Sequence, residues 1–372
     1  MEPRFLKRIE TLRGSFAAAG IDALMVRVEE NRRYLCGFTG EDSQMDESAG
    51  TLFVTADRLL LATDSRFVTQ VETECPGLPV YCYRKQMARE LPDILAGLSV
   101  LRLGFEDARL SVAEFTLMEK SLAEAGNKTA LVAVRELAEK LRLTKDESEI
   151  SAIGLSLFIA EQAFLKALSV IRPGMTEKQA AWELEKAMRE EGADSLSFPV
   201  IAAAGENAAM PHAIPGHRVI RAGEPVLFDW GARKNGYCSD ISRTVFFGRP
   251  DDTFRKVFDA VREAQSRAQE AVRPGAEAKA LDHVARSFLD SLGFGDKFGH
   301  GLGHGVGLAV HEAPRLSPLS EAILAPGMIA TIEPGVYLPG LGGVRLENMV
   351  AVTETGARVL NSLPPAIATE ML

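Results

Sequence analysis

The sequence predicts an α+β protein in two parts: a small α/β domain over residues 1–143, then a larger domain over residues 144–372 with an internal pseudo-two-fold repeat. Three observations lead there. The first part alternates short helical and strand-like apolar patterns, as a mixed sheet with covering helices does. A helix-start signal at Thr144 and Glu147 opens a new, longer pattern. Beyond it, Ile171-Arg172-Pro173-Gly174 returns 101 residues later as Val272-Arg273-Pro274-Gly275, with Ala163 and Ala167 matched by Ala264 and Ala268, and Gly192 by Gly293.

Taken in order, an amphipathic helix is expected over residues 3–19, and strands over 22–26, 51–54, 59–62, 80–83 and 101–105. Helices are expected over 66–73 and 112–125, the second opened by a Ser111/Glu114 capping box. The Thr144/Glu147 box then begins a helix that runs to about residue 170. Each copy of the repeat reads helix, Arg-Pro-Gly turn, helix, glycine stop, and then a strand-rich stretch.

Composition narrows the function. The 372 residues carry 42 basic and 51 acidic side chains, a net charge of −9, which leaves no electrostatic footprint for nucleic acid or an anionic membrane. Met1-Glu2-Pro3-Arg4-Phe5-Leu6-Lys7-Arg8 lacks the apolar core of a signal peptide, and no apolar run is expected to reach membrane-spanning length. Cys36, Cys75, Cys82 and Cys238 show neither CxxC spacing nor disulfide-scaffold density, so a reducing, cytoplasmic setting is expected.

The chemistry concentrates in the last third, at Asp229, Asp240, His304, Glu333 and Glu347. Asn235-Gly236 between two β-prone runs is a strong hairpin signal. With the turn there, Asp229 faces Ser242 and Asp240 faces Gly231, so the two aspartates are diagonal neighbours on one face, about 7–8 Å apart. Glu333 and Glu347 flank Pro339-Gly340-Leu341-Gly342-Gly343. A turn centred on Gly340 opposes the two glutamates directly, one centred on Leu341 makes them diagonal, and both share a face. His300 and His304 lie in a run where every second residue is glycine, which disfavours helix and lets another backbone approach. Singly, each acid reads as a solvated side chain. Together, several interrupt apolar strands where an unpaired charge is costly, and four clustered carboxylates repel one another unless cations resolve the conflict. A two-metal hydrolase with cations about 3.5–4 Å apart fits the set. Cys238 shares a face with Asp240 and is open as a soft ligand or a lining residue. Arg243 reads as a neutraliser of the acids or a substrate contact, and His217 and His283 as surface residues.

Six segments resemble the Xaa-Pro peptidases, aminopeptidase P and prolidase, within the methionine aminopeptidase-like metallopeptidases of pita-bread fold. They are Phe228-Asp229-Trp230-Gly231, Tyr237-Cys238-Ser239-Asp240-Ile241-Ser242-Arg243-Thr244, His300-Gly301-Leu302-Gly303-His304-Gly305-Val306-Gly307-Leu308, Val310-His311-Glu312, Ile332-Glu333-Pro334-Gly335 and Gly343-Val344-Arg345-Leu346-Glu347. Asn31-Arg32-Arg33-Tyr34-Leu35-Cys36-Gly37-Phe38-Thr39-Gly40 and Thr63-Asp64-Ser65-Arg66-Phe67 resemble the N-terminal domain of the same family.

The resemblance implies a pita-bread catalytic domain and an exopeptidase that hydrolyses the bond between an N-terminal residue and proline in short peptides, as aminopeptidase or dipeptidase. It implies that Asp229 chelates one divalent ion, that His304 and Glu333 hold the other, and that Asp240 and Glu347 bridge them. A bridging hydroxide is then the nucleophile, with Glu333 handling its proton. His212 resembles the histidine near the leaving group, and His311 the one that stabilises the tetrahedral intermediate. His300 would line the proline subsite, and Arg345 would contact substrate or orient Glu347. Oxygen ligands with one imidazole suit manganese, with cobalt or zinc as alternatives, and a homodimer is expected. Three positions depart from the family pattern: Glu41-Asp42-Ser43 replaces small residues, Ala309 replaces an acid, and Asn348 stands where an aspartate often follows the last glutamate. Two other classes share the fold, a non-catalytic pita-bread binding module and a metal-independent creatinase-like amidinohydrolase. Both predict eroded ligands, and all five are present.

Overall fold

The computed structural model describes residues 1–42 and 47–366, so Ser43 lies outside the described residues. The chain forms two compact units, Met1–Arg142 and Leu143–Leu372.

In the first unit, six strands lie side by side in the order Val80–Cys82, Leu59–Thr63, Thr51–Thr55, Ala23–Val26, Arg102–Glu106, Ala130–Val134. The central strand Ala23–Val26 is antiparallel to one neighbour and parallel to the other. Five of these strands are the expected ones. The expected helix over 3–19 is two, Pro3–Gly14 and Phe16–Ala19, parted where Ser15 Oγ donates to the Leu12 carbonyl beside a glycine. Three helices escape the periodic signal, the shortest being Glu139–Arg142. Glu29–Cys36 buries the polar Asn31 and Arg32, and Met87–Ala96 carries Pro92 within it.

The second unit bears the repeat out in its hydrogen bonds. In the first half, Gly174 N–H donates to the Ile220 carbonyl, Ile220 N–H to Met175 and Glu177 N–H to Arg218. In the second half, Gly275 donates to Leu324, Leu324 to Ala276 and Ala278 to Ala322. The isolated bridges Thr176↔Val219 and Glu277↔Ile323 match as well. Gly192 and Gly293 both end their helices at positive φ, +99° and +81°. Ala163, Ala167, Ala264 and Ala268 are all buried. Mixed helices and sheets in this arrangement form the expected pita-bread domain.

Two expectations need correction here. The capping box belongs to Asp146 and Glu149, two residues beyond Thr144/Glu147, and the helix runs Glu147–Leu168. Lys145 is instead tied by its N–H to the Gly327 carbonyl. This 22-residue helix is also long and apolar enough by composition to cross a membrane, contrary to the expected absence of such a run. It is a core helix: Ile153, Leu157, Ala160 and Phe164 are buried in the main cluster. Phe164 stacks on Trp230 at 4.1 Å, and Trp230 Nε1 donates to the Ala160 carbonyl. That contact seats the strand bearing Asp229.

Candidate active site

The first ligand-bearing hairpin forms in the predicted register, and the second in one of its two expected registers. Asn235 and Gly236 take φ of +52° and +84°, Lys234 pairs with Tyr237, and Ser242 lies opposite Asp229. In the second hairpin Gly335 pairs with Arg345, and Ile332 pairs with Asn348 in the adjoining sheet. These fix the Gly340-centred alternative, with Glu333 directly opposed to Glu347.

In each hairpin the ladder opens at the ligands. A Cβ on Gly231 would lie 1.9 Å from the Ser239 carbonyl oxygen, and Asp240 sits in the gap between the two paired stretches. Glu333 and Glu347 occupy the equivalent gap. Backbone groups released there find partners elsewhere: Glu347 N–H donates to the Ser242 carbonyl, and Glu333 N–H to Leu302. His304 lies on Gly303–Gly305, between Glu312–Leu316 and Ile329–Ile332. Its flanking glycines are obligatory, since a Cβ on Gly303 would meet the Thr331 carbonyl at 2.0 Å and one on Gly305 the Ala313 carbonyl at 2.1 Å.

The five side chains converge on a cavity of about 460 Å³, also lined by His212, His300, His311, Arg315 and Arg345. Ligand atoms of Asp229, Asp240 and Glu347 lie within 4.8 Å of one another, as do those of His304, Glu333 and Glu347. Asp240, His304 and His311 form a third such group.

Several features fit cations here. Among the described residues, buried Asp229 Oδ1 has no hydrogen-bond partner. His304 Nδ1 donates to the Gly305 carbonyl, which leaves the lone pair on Nε2 facing Asp240 Oδ2 at 3.5 Å and Glu333 Oε1 at 3.4 Å. Burial, with His311 nearby, pushes the His304 pKa down to about 3, so this is a neutral imidazole against two acids. Burial and the neighbouring carboxylates raise Asp240 and Glu347 well above the carboxylate range. Burial pushes Glu333 up to about 7, partly offset by Arg345. Oxygen donors and one imidazole thus compete for protons that divalent cations would replace.

Around this centre, Arg345 donates from Nη2 to Asp229 Oδ2, from Nε to Ser242 Oγ and from Nη1 to Tyr337 Oη. Ser242 Oγ in turn donates to Glu347 Oε2. Arg345 thus reaches Glu347 through Ser242, as an orienting residue can, and its direct carboxylate partner is Asp229. His300 Nδ1 donates to the Gly301 carbonyl, so Nε2 accepts from the Tyr337 hydroxyl. Its pKa is pushed down to about 4 by burial and by Arg345. His212 and His311 line the cavity with more exposed rings, His311 at 4.3 Å from the His304 ring.

Cys238 is neither ligand nor lining; it is buried with Sγ toward the Leu308 carbonyl. Among the described residues, Arg243 neither lines the cavity nor pairs directly with a carboxylate. It is buried, and donates to the carbonyls of Ser242, Glu347, Leu363 and Pro364 and to Asn348 Oδ1. The departing Asn348 thus accepts from an arginine whose pKa burial lowers to about 10. His217 and His283 are exposed and outside the cavity lining.

Sequence reasoning missed Tyr337 and Arg315. Strand parity held the signal for both: Tyr337 faces Gly343, diagonal to Arg345, and Arg315 pairs with His304.

A buried donor set of this composition defines a metal-dependent hydrolase. The chain matches the model of metallopeptidase family M24 over residues 151–354 and that of the creatinase/prolidase N-terminal domain over residues 8–144. It is 33% identical to the Xaa-Pro dipeptidase of Pyrococcus horikoshii over 344 residues, covering 91% of this chain and 92% of that one. Among solved structures, a Xaa-Pro dipeptidase from Bacillus anthracis superposes with a TM-score of 0.91 at 36% identity, covering 98% and 99% of the two chains. An X-Pro aminopeptidase from Thermotoga maritima gives 0.85 at 34%, covering 95% and 99%. The protein belongs to metallopeptidase family M24, and the kinship read from its motifs is borne out.

Proposed function

We propose that this metallopeptidase is a two-metal exopeptidase that cleaves the bond between an N-terminal residue and proline, with dipeptides as its preferred substrates. The observation that carries this reading is the convergence of Asp229, Asp240, His304, Glu333 and Glu347 on one cavity, with Asp229 Oδ1 left without a partner among the described residues. Asp229, Asp240 and Glu347 would hold one cation, and His304, Glu333, Asp240 and Glu347 the other. Two divalent cations, manganese first and cobalt or zinc as alternatives, supply Lewis acidity and activate a water for attack on the scissile carbonyl.

The side chains do the rest. Glu333, whose carboxylate faces the cavity beside His304 and Glu347, takes the proton of the attacking water and returns it to the leaving nitrogen. His311, beside His304, donates to the oxygen on which charge develops. His212 stands toward the leaving group. Both His300 nitrogens are engaged, so the ring offers the cavity an apolar edge, and a prolyl nitrogen without N–H asks for no acceptor. Arg315, a cation on the cavity wall, suits the free carboxylate of a dipeptide. The dipeptidase names of several relatives support this preference.

The test is hydrolysis of Ala-Pro, Ala-Pro-Ala and Ala-Ala-Ala after chelation and re-addition of manganese or cobalt. Metal-dependent cleavage with Ala-Pro fastest is expected. Cleavage of Ala-Ala-Ala at an equal rate would remove the proline requirement, and no cleavage with metal bound would overturn the reading.

A further inference from the structure

Glu177 opens the helix Glu177–Glu190, where an acid is ordinarily explained by the helix dipole. This one is 1% exposed. The cap itself is made by Thr176 and Gln179, so the Glu177 carboxylate is free for other work. Its Oε1 accepts from the Ala204 N–H at 2.8 Å and from Asn207 Nδ2 at 3.0 Å, and its Oε2 accepts from the Gly216 N–H at 2.9 Å. Ala204 ends the strand Ile201–Ala204, and Gly216 closes the loop that follows, so one carboxylate holds both ends of the segment bearing His212.

The middle of that loop is fixed from behind. A Cβ on Gly343 would lie 2.2 Å from the Ala208 carbonyl oxygen, and Arg345 Nη1 donates to the Pro211 carbonyl at 3.2 Å. His212 itself has no hydrogen bond to its ring among the described residues, so no such bond holds its side chain in place.

The repeat supplies an internal control. The residue equivalent to Glu177 in the second half is Ala278, and three local backbone hydrogen bonds recur there, although the bond from Lys178 N–H to the Gly216 carbonyl has no counterpart among the described residues. The fold therefore does not require a carboxylate at this position. It occurs in the half whose loop carries His212.

We infer that Glu177 is a positioning residue, stapling the loop over residues 204–216 so that His212 meets the substrate in a fixed place. This rests on the proposed Xaa-Pro hydrolysis. Glu177→Ala and Glu177→Gln, each alone and combined with His212→Ala, test it with Ala-Pro as substrate, alongside metal content and amide hydrogen exchange. Glu177→Ala is expected to lower kcat by about 10²-fold with unchanged metal content, as a misplaced catalytic group does. On the His212→Ala background the same change should cost less than about threefold, because the two residues act as one unit. Glu177→Gln keeps the acceptor for Ala204 and should lose protection mainly at Gly216. Multiplicative effects, or unaltered exchange at Ala204 and Gly216 in both variants, would overturn the inference. If the wild-type protein with metal bound leaves Ala-Pro intact, the hydrolysis reading fails, and amide exchange alone still decides whether the staple exists.

Discussion

Arg345 Nη2 donates to Asp229 Oδ2 at 2.5 Å, leaving only Oδ1 of that carboxylate for a cation. Burial alone would lower the Arg345 pKa, but Tyr337, Asp229 and Glu333 hold it above its ordinary value. The guanidinium thus selects which oxygen of Asp229 faces the metal centre, as outer partners of metal ligands do.

Arg345→Lys should therefore weaken metal binding. A lysine keeps the charge and cannot serve Asp229, Ser242 and Tyr337 in one plane. A fall of about 10–100-fold in metal affinity or kcat is expected, measured by metal titration and steady-state kinetics on the same preparation. Wild-type values in both would show that Asp229 holds its orientation unaided.

The chelated protein should lose stability as pH rises. Glu333 moves from its ordinary 4.5 to about 7 in the fold, and Asp240 and Glu347 shift in the same direction. A group with a raised folded pKa contributes stability that is fully present below its unfolded value and lost as pH climbs through the folded one. The melting temperature of the chelated protein should fall between roughly pH 5 and pH 8, and saturating metal should flatten that slope by replacing the protons. An equal slope with and without metal would place these carboxylates outside the metal centre.

Arg315 and His311 should separate kinetically. Arg315→Gln removes the cation proposed to hold the free carboxylate, so KM for Ala-Pro should rise while Ala-Pro-amide is little affected. His311→Ala should act on kcat instead, because a donor to developing charge matters most in the transition state. Identical kinetic signatures for the two variants would refute this division of roles.

Gly303→Ala tests the close approach beneath His304. The added Cβ would meet the Thr331 carbonyl at 2.0 Å, and a backbone carbonyl cannot swing away as a side chain can. Destabilisation of at least about 1–3 kcal/mol is expected, with a loss of bound metal, measured by denaturant unfolding and elemental analysis. Full stability would mean the strands part at little cost.

Much of the site was legible because period-two pairing carries it. Asn235-Gly236 fixes a turn, the turn fixes a register, and the register brings Asp229 and Asp240 to one face. The same logic left Glu333 and Glu347 with two registers, and only the packed structure chose between them. Tyr337 and Arg315 were within reach of that logic and lacked a neighbouring motif to draw attention. Arg243 was not: its partners include carbonyls about 120 residues away, and no local pattern encodes them. The helix Glu29–Cys36 was lost for a related reason, since burying Asn31 and Arg32 erases the apolar stripe that announces a helix. Arg32 is buried against the Gly40 and Gly50 carbonyls, and Glu106 explains the burial of Asn31. It accepts from the Arg27 and Val28 N–H groups and from Asn31 Nδ2, partners drawn from distant sequence.

Arg243 also makes the segment near residue 363 a mechanical handle on the catalytic centre. Its guanidinium grips the carbonyls of Leu363 and Pro364 on one side and that of Glu347 on the other, while Glu161 anchors the N–H groups of Ser362 and Leu363. A proteolytic nick just before this strap would slacken the strand that presents Glu347 without touching the cavity. Limited digestion should then extinguish activity while most of the fold survives, and any affinity tag placed there would tug on the chemistry it was meant only to purify.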